Sequence, residues 1–161
     1  MGSVGSPVVR RIVQVSRCAE SPEELLASVG LSLDADPRTW AGETVEEEAY
    51  YALVERAAGP DDPGLPFRYG EALRLEDLGA LGLALKTAPT LSDALARLAR
   101  YILVLSDTLE YELVDEPGGR AFALLGRPHH RRGAAVANEC ALAAVTSAVR
   151  QTAGGAWTRS R

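Results

Sequence analysis

The chain has 161 residues, near the roughly 150 typical of one domain, so one domain spanning 1–161 is expected. With 47% hydrophobic and 24% charged residues it can build a core, which excludes disordered, fibrous and disulfide-scaffold classes. Seventeen basic against 22 acidic side chains leave a net charge of -5, the opposite of what phosphate contacts need, so direct nucleic-acid binding is not expected.

The first residues show no basic region leading into an apolar stretch, and no apolar run reaches about 18 residues, so neither secretion nor a membrane span is expected. Residues 1–6 read as a flexible start. From Pro7 to Ala19 the positions Val8, Val9, Ile12, Val13 and Val15 fit a short helix with Arg10, Arg11, Gln14 and Arg17 outward, although the β-branched valines also suit a strand. Ser21-Pro22-Glu23-Glu24 has the form of a capping box and opens a two-turn helix stopped by Gly30. Leu31 to Gly42 carries turn chemistry (Asp34, Asp36, Pro37), with Leu33 and Trp40 as apolar anchors.

Thr44-Val45-Glu46-Glu47 repeats the capping-box pattern and predicts a helix through Ala57, with Val45, Ala49, Ala52, Leu53 and Arg56 on one stripe. Gly59 to Gly64, with Pro60 and Pro63, breaks the chain. Leu65 to Leu73 and Asp77 to Thr87 read as short helices, and Gly79 and Gly82 in the second point to a neighbouring element at close range. After the start signal Pro89 to Asp93, the positions Leu91, Ala94, Leu95, Leu98, Ile102 and Leu105 mark one helical face, with Arg97 and Arg100 opposite. Thr108 to Asp115 and Arg120 to Leu125 form a β-hairpin turning at Pro117 to Gly119. Gly133 to Gln151 is a helix apolar nearly all round, hence buried; 153–161 read as a flexible end. The fold class is α+β: mostly helical, with a hairpin or small antiparallel sheet packed on a long buried C-terminal helix. A lone hairpin is marginal in water, so helices must cover it or its edge must pair with further strands.

The chemistry-bearing residues are sparse. Cys18 and Cys140 match no metal-ligand spacing, and reduced, buried thiols in a cytoplasmic protein are expected. His129 and His130 are adjacent in a loop and read as solvated; no metal site and no cofactor are expected. Of the carboxylates, Glu139 alone falls in a segment expected to be buried, where it would need a partner. No nucleophile elbow, phosphate loop, dinucleotide fingerprint or zinc-protease motif is present, and no enzymatic activity is indicated.

The order of certain segments goes further. Leu25 to Leu31 with Asp34-Ala35-Asp36-Pro37, Gly59 to Leu65, Gly70-Glu71-Ala72-Leu73, Asp77 to Gly82, Pro89 to Leu95, and Leu98 to Tyr101 leading to Leu105-Ser106-Asp107 together resemble the amino-terminal, arabinose-binding-like effector domain of AraC-type transcriptional regulators. The resemblance implies a domain that senses a small molecule and relays its presence to a carboxy-terminal pair of helix-turn-helix units. Gly154-Gly155-Ala156-Trp157 resemble that family's linker into further strands, and neither those strands nor the DNA-binding half fall within the 161 residues. A small-molecule sensor without its own DNA-binding unit, as a homodimer, is therefore the expectation. A stand-alone small enzyme or binding protein reusing the fold and a dimerisation module are the alternatives. The ligand is not identified by the family's label. Its pocket is expected between the hairpin and the helices at 91–105 and 133–152, with Tyr101, Arg97, Ser106, Asn138 and Glu139 as candidate contacts and Trp40 and Tyr51 as aromatic lids.

Overall fold

A computed structural model describes residues 2–34, 36, 38–126 and 129–152. In chain order it runs β1 (Ser3–Gly5), α1 (Ser6–Val15), α2 (Pro22–Ala27), β2 (Thr44–Glu46), α3 (Glu47–Ala58), α4 (Leu65–Ala72), α5 (Ala80–Lys86), α6 (Leu91–Tyr101), β3 (Leu109–Glu116), β4 (Gly119–Gly126) and α7 (Arg132–Thr152). Short 3-10 turns lie at Trp40–Gly42, Leu75–Leu78 and Ile102–Val104. The fold is α+β, with two small antiparallel sheets, β1–β2 and β3–β4, and a long C-terminal helix.

Several local signals act as the sequence predicts. Ser21 caps α2: its side chain accepts from the Glu24 amide while the Glu24 carboxylate accepts from the Ser21 amide at 2.9 Å. Thr90 caps α6 by accepting from the Asp93 amide at 3.1 Å. The hairpin closes through Pro117-Gly118, with Glu116 opposite Gly119, and Gly118 takes the positive φ of 98° that a Pro-Gly turn requires. Gly82 marks a close approach, since a Cβ there would lie 1.8 Å from the Leu75 carbonyl oxygen. Gly79 is needed for a different reason: its φ of 57° separates the Leu75–Leu78 turn from α5, so Asp77 to Thr87 is two elements and not one helix.

Other expectations are corrected. Within the start expected to be flexible, residues 3–6 are held in place. Ser3–Gly5 pairs with β2, the Gly5 amide donates to the Leu105 carbonyl at 2.8 Å, and Val4 and Ser6 are fully buried. The second capping box is not used either: Thr44 is strand, Glu46 precedes the helix, and no side chain caps α3. The buried side of α3 is Glu47, Tyr50, Tyr51, Leu53, Val54, Ala57 and Ala58; of the expected stripe Val45 and Leu53 are buried, Ala49 and Ala52 are half-buried, and Arg56 is exposed. The expected flexible end, 153–161, lies outside the described residues.

The C-terminal helix α7 buries one side and not its whole circumference. Gly133, Ala134, Ala137, Cys140 and Ala148 are buried, packed mainly on α3 and α4, while Leu142 is open to solvent. Small residues permit this contact: a Cβ on Gly133 would fall 2.0 Å from the Tyr51 carbonyl oxygen, and one on Gly70 would fall 2.9 Å from that of Ala143. The hairpin leans chiefly on α6 through β3, and β4 touches α7. One apolar cluster centres on α1, α2, α3 and α7; a second joins α5, α6 and the hairpin, and Ala144 belongs to the margin of both.

The amino end of α7 is capped from another helix. Glu55 accepts from the Gly133 amide at 3.0 Å and from the Arg131 guanidinium at 2.9 Å. The Arg131 bond, followed by the Gly133 amide, holds the Glu55 carboxyl below its ordinary range. A carboxyl with a depressed folded pKa adds stability when ionised, and that contribution is lost as the pH falls through the folded value. Glu55→Gln should lower the urea midpoint at pH 7 by a margin worth about 1 kcal/mol, and the gap from wild type should narrow as the pH falls below the ordinary glutamate range and through the lowered folded value. An equal gap at pH 7 and pH 3 would show that charge plays no part in this cap.

Candidate functional site

A cavity of about 90 Å³ opens between the two apolar clusters. It lies where the hairpin, α6 and α7 meet, with α1, α3, α4 and α5 completing its walls. Leu98 and Ile102 come from the α6 region, Leu109 and Tyr111 from β3, and Ala137, Cys140, Ala141, Ala144 and Ala148 from α7. The alanine spacing explains the space: a helix presenting methyl groups on one face leaves room that leucine or phenylalanine would fill. The volume holds several water-sized spheres at roughly 15 Å³ each, and the lining is predominantly apolar.

Polar groups are few and mostly engaged. Ser106 and Thr108, both buried, share a hydroxyl hydrogen bond of 2.7 Å. Arg11 donates to the Ala72 carbonyl at 2.7 Å and to Asp77 at 2.8 Å, so its charge is neutralised at the wall. The Tyr51 hydroxyl donates to Glu47 at 3.0 Å, and its ring meets His129 edge-on with centroids 4.7 Å apart. His129 is therefore not a freely solvated loop histidine; it also bonds Glu48 at 2.8 Å. Burial pushes the Cys140 thiol up to about 12, which keeps it protonated and unreactive at neutral pH. Cys18, expected to be buried, is half-exposed.

The structure separates the residues singled out in the sequence. Ser106 and Tyr51 line the cavity, Tyr51 as an interior wall and not as a lid. Arg97 and Tyr101 instead border a shallow surface depression beside α5, where Arg97 donates to the Ala84 carbonyl at 2.7 Å and Tyr101 is exposed. Trp40 lies away from the cavity, with the Arg10 guanidinium 4.7 Å from its ring centroid. Asn138 is half-buried on α7 outside the lining, and Glu139 is exposed, so the expectation that Glu139 is a buried carboxylate in need of a partner is corrected. The reason is helical phase: Ala137 and Cys140 take the inward face, which turns Glu139 outward.

Sequence reasoning missed Tyr50, Tyr69, Tyr111, Arg11 and Thr108, all of which line the cavity. Tyr50 could have been found from its spacing to Val54 and Ala57, which defines the true inner face of α3. Tyr69 and Tyr111 had no such signal, because only the meeting of α4 with β3 across the cavity gives them a common purpose.

Among the described residues no group of three or more His, Cys, Asp or Glu side chains could hold a metal ion, and no helix is long and apolar enough to cross a membrane. An apolar, partly enclosed cavity with a few polar groups, held between helices and a hairpin, is the architecture of a small-molecule-binding module. The family model described as the arabinose-binding domain of AraC transcription regulator, N-term, matches residues 21–161. The chain belongs to this family, and is thus a ligand-binding regulatory domain associated with transcription. No curated protein matches the chain.

Proposed function

We propose that this chain is the effector-sensing unit of an AraC-type regulator, that it takes its small molecule into the cavity bounded by α3, α6, α7 and β3, and that Ser106 and Tyr51 contact that molecule. The apolar cavity carries the reading: a core at native packing density has few voids larger than a water molecule, and this one lies at the junction of two apolar clusters. A guest there bears on the hairpin and on α7 together, which is the coupling a sensor needs. The net charge of -5 supports sensing without direct DNA contact by this chain. Association of two copies belongs to the same reading, and the two-stranded β3–β4 sheet, with no third strand among the described residues, supports it.

Native mass spectrometry of the purified chain, combined with uptake of an uncharged naphthalene-type fluorophore, tests this. The expected result is a retained molecule or saturable probe uptake that is lost when Ala144→Phe fills the cavity, with helix content by circular dichroism unchanged. A wild-type chain that neither retains a molecule nor takes up the probe would overturn the proposal.

A further inference from the structure

Three tyrosines set the chemistry of the cavity. Tyr50 on α3, Tyr69 on α4 and Tyr111 on β3 all line it, and they are 5%, 6% and 6% exposed. Among the described residues their hydroxyls have no hydrogen-bond partner, and each keeps a little accessible surface although its side chain is more than nine-tenths buried. A buried hydroxyl without a partner is costly, and buried polar groups in folded proteins nearly always have one. Three such groups on three different elements, around one cavity, are not explained by packing: phenylalanine would fill the same volume without leaving a hydroxyl unpaired. The fourth tyrosine of the same lining, Tyr51, differs in that its hydroxyl is satisfied by Glu47.

We propose that Tyr50, Tyr69 and Tyr111 are the recognition groups of the cavity, donating hydrogen bonds to a neutral, largely apolar ligand that carries a carbonyl oxygen. This rests on the cavity being the effector site. A phenol is a better donor than acceptor, so its natural complement is an acceptor oxygen on the guest. Charge is disfavoured there. Burial pushes the pKa of all three phenols and of the Cys140 thiol up, which opposes their ionisation, and the cation in the cavity lining, Arg11, is already paired with Asp77. The phenols therefore remain uncharged donors, and an anionic guest would enter without a free counter-charge. The alanine face of α7 and the side chains of Leu98, Ile102 and Leu109 take the apolar body of the molecule.

Three probes of one size decide the matter: acetophenone, ethylbenzene and benzoate, titrated by calorimetry into the full chain and into Tyr50→Phe, Tyr69→Phe and Tyr111→Phe. The ketone is expected to bind about tenfold more tightly than the hydrocarbon, as one net hydrogen bond allows, and benzoate more weakly than the ketone. At least one Tyr→Phe change should erase the ketone preference while ethylbenzene binding is kept or strengthened. Each variant should melt no lower than wild type when unliganded, because no hydrogen bond within the protein is lost; that measurement also shows the variants to be folded. Equal binding of ketone and hydrocarbon by wild type, a ketone preference that survives all three substitutions, or tightest binding of benzoate would overturn the tyrosine proposal while leaving the cavity as a binding site. Failure of every probe to bind wild type would overturn both.

Discussion

Gly133→Val should destabilise the protein by roughly 3 kcal/mol or more, the upper end of what overpacking a core costs. The site has no slack: an added Cβ would lie 2.0 Å from the Tyr51 carbonyl oxygen and 2.8 Å from its carbon, both backbone atoms that cannot swing aside. α7 would have to lift from α3, and Tyr50 and Tyr51, which form one wall of the cavity, would move with it. Gly133→Ala gives the sharper comparison. In an open helix alanine gains about 1 kcal/mol over glycine, whereas here the clash must reverse the sign. Urea unfolding of both variants checks this, and an alanine variant as stable as wild type would mean that the two helices are not seated at this distance. The same change should weaken ligand binding, because the helix contact and the cavity wall share residues.

Glu43→Ala should be the most damaging change of a surface-adjacent charge, at about 2–3 kcal/mol. Arg10 is 8% exposed; its guanidinium donates to the Ser32 carbonyl at 2.6 Å and to Glu43 at 3.1 Å, and it lies 4.7 Å from the Trp40 ring centroid. Its Nε is already buried without a partner. Removing the Glu43 carboxylate would strand a cation inside the fold and also take one of the two acceptors of the Ser6 hydroxyl, leaving the Trp40 carbonyl. The figure is set below the cost of breaking a fully buried pair because Glu43 is 32% exposed. Arg10→Met should cost less, about 1 kcal/mol, since it removes the buried charge and leaves the carboxylate partly hydrated. Thermal unfolding of the two single variants and the double variant gives the order. Should Glu43→Ala prove no worse than Arg10→Met, the guanidinium is not held away from water.

The contrast between Ser21 and Thr44 shows what a motif can and cannot reveal. Both segments have the capping-box pattern, yet only Ser21 caps a helix, because β1 captures Thr44–Glu46 as a strand partner. That partner lies about forty residues away and carries no periodicity of its own, so nothing near Thr44 announces it. Glu139 teaches the same lesson within one helix. An alanine-rich segment looks apolar on every side, and only its contact with α3 and α4 decides that Ala137 and Cys140 face inward. Of the residues singled out, Ser106 and Tyr51 line the cavity, Tyr51 as a wall where a lid was expected, whereas Arg97 and Tyr101 were drawn from a helix face that turns to a surface depression.

Taken by itself, the chain determined the features that depend on near neighbours: the caps of α2 and α6, the Pro117-Gly118 turn, the breaks at Gly59 to Gly64 and the run of α7. These follow from hydrogen bonds and φ preferences spanning a few residues. The tertiary structure alone decided which faces turn inward, how residues 3–6 are held, and that three tyrosines from α3, α4 and β3 border one cavity. Those outcomes are set by contacts between elements distant along the chain, where burial of apolar surface selects one arrangement from several that local preferences allow equally.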